Sequence, residues 1–159
     1  MIKTVAILAS ALLLVACSEE TPDTNKRWTD GSLPAGAPVK PPWFTDEQVE
    51  EGAVVFRENC ATCHGAKAQG TFNWRKRDAE GRLPPPPLNG NGHAWHHSRD
   101  VLRRVVREGG QPMGGSMPGF ADKLSGKQID QVIAWVQSNW STEIYQRWQE
   151  IDQQAGPLS

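Results

Sequence analysis

Two thiols and an imidazole stand in one five-residue run, Cys60-Ala61-Thr62-Cys63-His64. Thiols three residues apart on a tight helical turn can each add to one vinyl group of a haem. The residue that follows then brings its imidazole under the iron as the proximal ligand. C-x-x-C-H is the attachment pattern of c-type haem. Two rival chemistries share part of the pattern. A thioredoxin-like dithiol requires a βαβ setting, which this Pro- and Gly-rich chain does not offer. A zinc finger completed by His93 and His97 would place 29 residues between Cys63 and His93, against about 12 to 15 in the usual spacing.

The chain has 3 cysteines in all, and the third belongs to the N-terminus. Lys3 precedes an apolar run from Val5 to Ala16, broken only by Ser10. That run is too short to span a bilayer as a helix, which takes about 20 residues. A basic start and a short apolar stretch form an export signal. It ends in Leu14-Val15-Ala16-Cys17, which resembles a bacterial lipobox. The similarity implies that residues 1–16 are removed and that Cys17 is acylated as the first mature residue. Several acyl chains anchor firmly, because each buried CH₂ contributes about 0.8 kcal/mol. Ser18 stands where retention at the inner membrane typically takes Asp, which favours the outer membrane. Residues 17–42 then read as a lipidated Cys and a flexible linker, with five prolines and no apolar period. The cysteine count closes on one lipid anchor and two thioethers, with no disulfide.

Composition sets further bounds. Lys+Arg is 17 and Asp+Glu is 18, for a net charge of −1, so neither a polybasic nucleic-acid binder nor an acidic tail is present. Only 38% of the 159 residues are hydrophobic, while Gly and Pro number 15 and 12. One modest domain with long loops is expected.

The elements that must hold the site are marked by their caps. Thr45-Asp46-Glu47-Gln48 is a capping box. Val49, Gly52, Ala53 and Phe56 follow at helical spacing, predicting a helix to about Asn59. Gly52 on its buried side costs helix propensity, and so marks a close approach by another helix. Ser98 is the expected N-cap of a middle helix with Val101, Leu102, Val105 and Val106 on its apolar side. Ser125 and Gln128 form a second capping box, ahead of a stripe of Ile129, Val132, Ile133, Val136 and Trp140. Ile144, Trp148 and Ile151 predict an extra helical turn or two beyond that.

Four features in order resemble the class I c-type cytochromes: the first helix with Gly52 and Phe56; Cys60 to Gly65; the segment Pro86-Pro87-Leu88-Asn89-Gly90; and Ser116-Met117-Pro118-Gly119-Phe120 ahead of the last capped helix. The resemblance covers 43–140 and implies an all-α cytochrome c fold around one covalent haem c. Residues 141–159 are left as a C-terminal extension and tail. It further implies Met117 as the second axial ligand, with Met113 in the same Gly-rich loop as the alternative. A thioether opposite an imidazole raises the reduction potential. The Pro86 carbonyl is expected to accept a hydrogen bond from His64 Nδ1–H, with Pro87 as the alternative.

The activity so implied is single-electron transfer on the periplasmic side of a bacterial membrane. It is a carrier's role, not an enzyme's, and it serves an unidentified oxidase, reductase or dehydrogenase. Two other readings rest on this chain's own departures. A sensor or haem enzyme would use a Met117 that dissociates. A copper-handling protein would use His93, His96 and His97, since imidazole and thioether both suit copper. Trp74-Arg75-Lys76-Arg77 is an insertion whose Trp and Arg could donate to haem propionates or simply pack as a loop. Arg99, Arg103, Arg104 and Arg107 form either a solvated helix face or a patch for an acidic redox partner.

Overall fold

The computed structural model describes residues 42–156. The export signal, Cys17 and nearly all of the linker lie outside the described residues. Helix α1 (Asp46–Asn59) starts at the expected box: Gln48 N donates to Thr45 Oγ1, and Gln48 Oε1 accepts from Thr45 N. A short α2 (Ala61–His64) carries the Cys/His run. Helix α3 (Arg99–Glu108) begins at Ser98, whose hydroxyl accepts from Val101 N. Helix α4 (Gly126–Ser138) opens on the Ser125/Gln128 box, and α5 (Thr142–Ala155) on Ser141. Three-residue 3-10 turns sit at Ala94–His96 and Gln111–Met113. The described residues contain no strand; a single parallel bridge joins Leu83 and Gly115. The fold is the all-α arrangement expected.

Helices α1 and α4 make the main crossing. Val55 and Phe56 meet Ile129, Val132 and Ile133 there, and all five are buried. Phe56 lies against the Trp135 ring with centroids 4.1 Å apart. Gly52 is what permits this distance. A Cβ added at Gly52 would land on the Gln131 carbonyl and touch Trp135 Cβ. The crossing is rimmed by polar contacts, in which Gln131 Nε2 donates to Glu51 Oε2 and Lys127 lies 3.4 Å from the same carboxylate.

The segment after residue 140 differs from the turn or two expected. It is a full helix, and it holds two of the largest fully buried side chains, Tyr145 and Trp148. Together with Phe44, Ala134 and Trp140 they form a second core cluster. Trp140 itself falls in the turn between α4 and α5, not on the α4 stripe, because α4 ends at Ser138 with Asn139 as its C-cap. A break there turns the chain so that α5 packs back on the domain. Trp43 closes the same region: its Nε1 donates to the fully buried Gln137 Oε1 at 2.7 Å.

The Gly52 contact yields a direct test. Helix propensity alone would reward alanine by up to about 1 kcal/mol. Overpacking against a backbone carbonyl costs about 1–3 kcal/mol and opposes that gain. Gly52→Ala is therefore expected to lower the urea midpoint at unchanged m-value. A midpoint equal to or above wild type would show that α1 and α4 are not held at this distance.

Candidate haem site

The Cys/His run is shaped by the end of α1. Cys60 is at once the C-cap of α1, with its N–H on Phe56 O, and the residue that starts α2. His64 N then donates to Cys60 O at 2.9 Å, and Gly65, at φ 77°, stops the turn. This compact turn leaves Cys63 exposed and Cys60 half-buried, both as free thiols, and buries His64. Burial, with Cys63 alongside, pushes the Cys60 thiol up to about 11. A redox-active or nucleophilic cysteine depends on thiolate at neutral pH. This environment works against that use of the pair and, with no strand among the described residues, against a thioredoxin-like site.

His64 is held by one hydrogen bond. Its Nδ1 lies 2.9 Å from Pro86 O. The carbonyl can only accept, so Nδ1 carries the proton and Nε2 keeps its lone pair. Burial holds the imidazole below its ordinary range, partly offset by that carbonyl. The ring is thus neutral at pH 7, the form a metal requires. Pro87 takes no part in this bond; its carbonyl sits beside Gly92, where a Cβ would collide with it.

The loop that delivers Pro86 is tied down at both ends. Gly70 N donates to His64 O at 2.7 Å, and Leu88 N to Ala68 O at 2.8 Å. Ala68 is fully buried with φ 52°, a left-handed conformation that a non-glycine residue adopts at a cost. Thr71 N and Oγ1 both reach Pro85 O. The loop is long, but its path past His64 is fixed.

His64, Cys60 and Cys63 open on a cavity of about 560 Å³. Its wall is largely apolar: Phe56 from α1; Val101, Leu102, Val105 and Val106 from α3; Val132, Ile133 and Val136 from α4; and Leu83 to Pro86 and Leu88 from the loop. Both Met117 and Met113 line it as well. They differ in setting. Met117 is half-buried, and its carbonyl accepts from Gly110 N at 3.0 Å. Gly109, at φ 91°, packs so close to that carbonyl that a Cβ would collide with it. Met113 is 56% exposed at the end of the 3-10 turn. Phe120 N reaches back to Val106 O and Arg107 O, which pins the Met117 loop to the end of α3.

The residues present fit a haem. An apolar cavity within the usual cofactor range of about 300–1,000 Å³ carries two thiols, a neutral imidazole with a free nitrogen, and thioethers. Among the described residues, no acidic side chain lines it. At its rim Arg75 sits 4.1 Å over Trp74, Trp74 stacks on His93 with centroids 5.5 Å apart, and His93 meets His97 edge-on at 5.6 Å. His96 instead packs on the ring of Trp95 at 3.7 Å. Among the described residues, no group of three or more His, Cys, Asp or Glu is placed to share a metal ion. Of the α3 arginines, Arg103 pairs with Asp130 at 3.3 Å, and Arg99 lies over Trp43.

Comparison with known proteins agrees with this geometry. The family model described as cytochrome c oxidase, cbb3-type, subunit III matches residues 47–136. The cbb3-type cytochrome c oxidase subunit FixP of Sinorhizobium medicae is 31% identical over 96 residues, 57% of this chain and 29% of that protein. The FixPc subunit of Rhizobium leguminosarum bv. viciae is 32% identical over 91 residues, 54% of this chain and 28% of that protein. The chain thus spans less than a third of the length of these relatives. No solved structure matches. With the family model covering α1 through most of α4, the chain belongs to the cbb3-type cytochrome c oxidase subunit III family, and so to the class I c-type cytochromes.

Proposed function

We propose that this protein is a lipid-anchored periplasmic carrier that passes single electrons through one haem c, attached at Cys60 and Cys63 and ligated by His64 and Met117. The observation that carries the reading is the cavity: it gathers both thiols, the neutral His64 imidazole and Met117 within one apolar wall. When bound, the haem supplies the one-electron iron couple. The chain's own residues do the rest. Cys60 and Cys63 would attach the haem through thioethers. Pro86 O keeps the His64 proton on Nδ1, which leaves the Nε2 lone pair for the iron the haem would bring. The hydrogen bond from Gly110 N to Met117 O ties the Met117 loop to the end of α3. The apolar wall excludes water, so little has to reorganise when charge changes.

The relatives are subunits of cbb3-type cytochrome c oxidases, which points to an oxidase as the redox partner, and electron delivery to or from such an enzyme is the role we assign. The chain itself would not be the catalyst, because two protein ligands leave no open iron position. The labile-methionine reading draws support from Met113, a second thioether on the same cavity in a more exposed turn. The copper reading has less support, since only His93 and His97 among the three histidines meet.

Among the described residues no helix is long and apolar enough to cross a membrane. Membrane attachment is assigned to acylated Cys17, at the outer membrane by preference, through the linker that precedes the domain.

Two outcomes test this reading. Met117→Ala is expected to open the iron, raising carbon monoxide affinity of the reduced protein by about tenfold or more, roughly 1.4 kcal/mol per decade. Met117→His should stay six-coordinate with a lowered potential, because thioether ligation raises it. If Met113→Ala has these effects and Met117→Ala does not, the axial assignment is wrong. Separately, Cys17→Ser should move the cytochrome from the membrane fraction to the soluble periplasm with its haem intact. Retention in the membrane after a high-salt wash would point to another anchor.

A further inference from the structure

The two sides of the Met117 loop are held by different means. On its C-terminal side, Phe120 N bonds to Val106 O and Arg107 O, and Gly119 lies so close to the end of α3 that a Cβ would meet Arg107 O. The other side, 111–116, has only local turns of its own. Gly114 N donates to Gln111 O at 2.9 Å, and Gly115 N to Gly110 O at 3.0 Å. Among the described residues, the hydrogen bonds that reach this side from elsewhere in the chain come from the loop that continues the Trp74–Arg77 insertion. Leu83 N donates to Gly114 O at 2.9 Å, and Arg77 Nη1 donates to the same oxygen at 3.4 Å. The parallel bridge between Leu83 and Gly115 lies at this junction.

The inserted loop is built to keep its shape. Asp78 Oδ1 accepts from Arg82 N at 2.8 Å and from Glu80 N at 3.1 Å, while Arg82 Nε lies 3.1 Å from Oδ2. Arg82 N above all holds the Asp78 carboxyl below the usual carboxylate range. Asp78 N donates to Arg82 O at 2.9 Å and closes the turn. Arg77 Nη1 donates to Gly81 O in that turn at 2.6 Å, so one guanidinium group joins the inserted loop to the methionine loop. Gly114 is in the left-handed region at φ 78°, and a Cβ there would come within 3.1 Å of Arg77 Nη1.

From Gly114 the path to the ligand is short. The next residue, Gly115, bonds to Gly110 O, and Gly110 N bonds to Met117 O. Gly109, Gly110, Gly114 and Gly115 all lie on this path, and glycine loses more conformational freedom on ordering than any other residue. A thioether delivered by a freely moving loop binds weakly, because ligation must then supply the ordering; a loop fixed beforehand removes that cost. Ferric iron shows the difference first, since thioether ligation favours the ferrous state.

We propose that Arg77 is a positioning residue: with Leu83 N it latches the inserted loop onto Gly114 O, and this latch keeps Met117 on ferric iron. The inference rests on the haem and Met117 reading above. Arg77 does not line the cavity, so it acts through the loop and not by contact with the haem.

The test is displacement of the methionine from the ferric, full-length holoprotein by added imidazole, followed in the visible spectrum at about pH 8, where imidazole is mostly neutral. Arg77→Met keeps the length of the side chain and removes its donors. Asp78→Ala leaves Arg77 in place and unties the turn that carries it. Each is expected to raise imidazole affinity about threefold to tenfold, the range for losing one or two hydrogen bonds of this kind. The two variants change net charge in opposite directions, so an effect of charge alone would move the affinities apart. The urea midpoint of the helical signal should stay at the wild-type value in both. Unchanged affinity in either variant, shifts of opposite sign, or a helical midpoint that falls along with the gain in affinity each overturns the latch. The wild type is read first: a ferric spectrum without the charge-transfer band of a thioether-ligated haem overturns the Met117 ligation itself, a result distinct from failure of the latch.

Discussion

The hydrogen bond between His64 Nδ1 and Pro86 O is the constraint on which the site depends. A buried imidazole has two nitrogens to satisfy, and an apolar wall can satisfy neither. The carbonyl takes one and thereby fixes the tautomer, the ring plane and the direction of the free nitrogen. Much of the loop exists to bring that carbonyl into place. Gly70 and Leu88 bind back to His64 and Ala68, and the strained Ala68 sits buried between them. Proline suits the position because it needs no donor partner of its own and holds the chain extended beside the ring.

Two packing clusters give this arrangement its rigidity. The α1–α4 crossing sets one wall and is limited by the missing side chain at Gly52. The cluster of Phe44, Trp140, Tyr145 and Trp148 sets the other, through indole N–H bonds to Leu88 O and His97 O. Aromatic residues serve well in this place because each indole buries a large apolar face and still offers one donor to a carbonyl. The result is a cavity whose walls do not rely on the occupant's polar contacts, except at the Arg75–His97 rim. An environment that hardly moves when charge changes is what fast one-electron transfer asks of a protein.

The local signals were legible in the sequence. Both capping boxes start helices where they were read, Ser98 caps α3, and Gly52 marks the close approach of α4. The five-residue Cys/His run fixes its own geometry, since a helical turn at that spacing leaves little freedom. Long-range partners were not legible. The donor partners of Trp140 and Trp148 lie about fifty residues away in sequence, and an indole N–H gives no local hint of which carbonyl it will meet. For that reason the sequence leaves open whether the segment after Trp140 packs back on the domain; as α5 it does, and it builds part of the core. The three histidines within 93–97 have two readings, a structural or propionate role and, as the lesser alternative, a shared metal. The 3-10 turn at 94–96 sends His96 onto Trp95 while His93 and His97 meet each other, which parts the three rings. Both methionines of the Gly-rich loop line the cavity, Met117 half-buried and Met113 in an exposed turn.

The central claim is that this chain keeps one imidazole and one thioether on its iron whatever the oxidation state. Iron K-edge X-ray absorption on the oxidised and the reduced holoprotein measures this directly. The account predicts one sulfur scatterer beside five nitrogens in both states, with little change in the iron–sulfur distance. A shell of nitrogens with no sulfur, or a sulfur present in only one state, would contradict it.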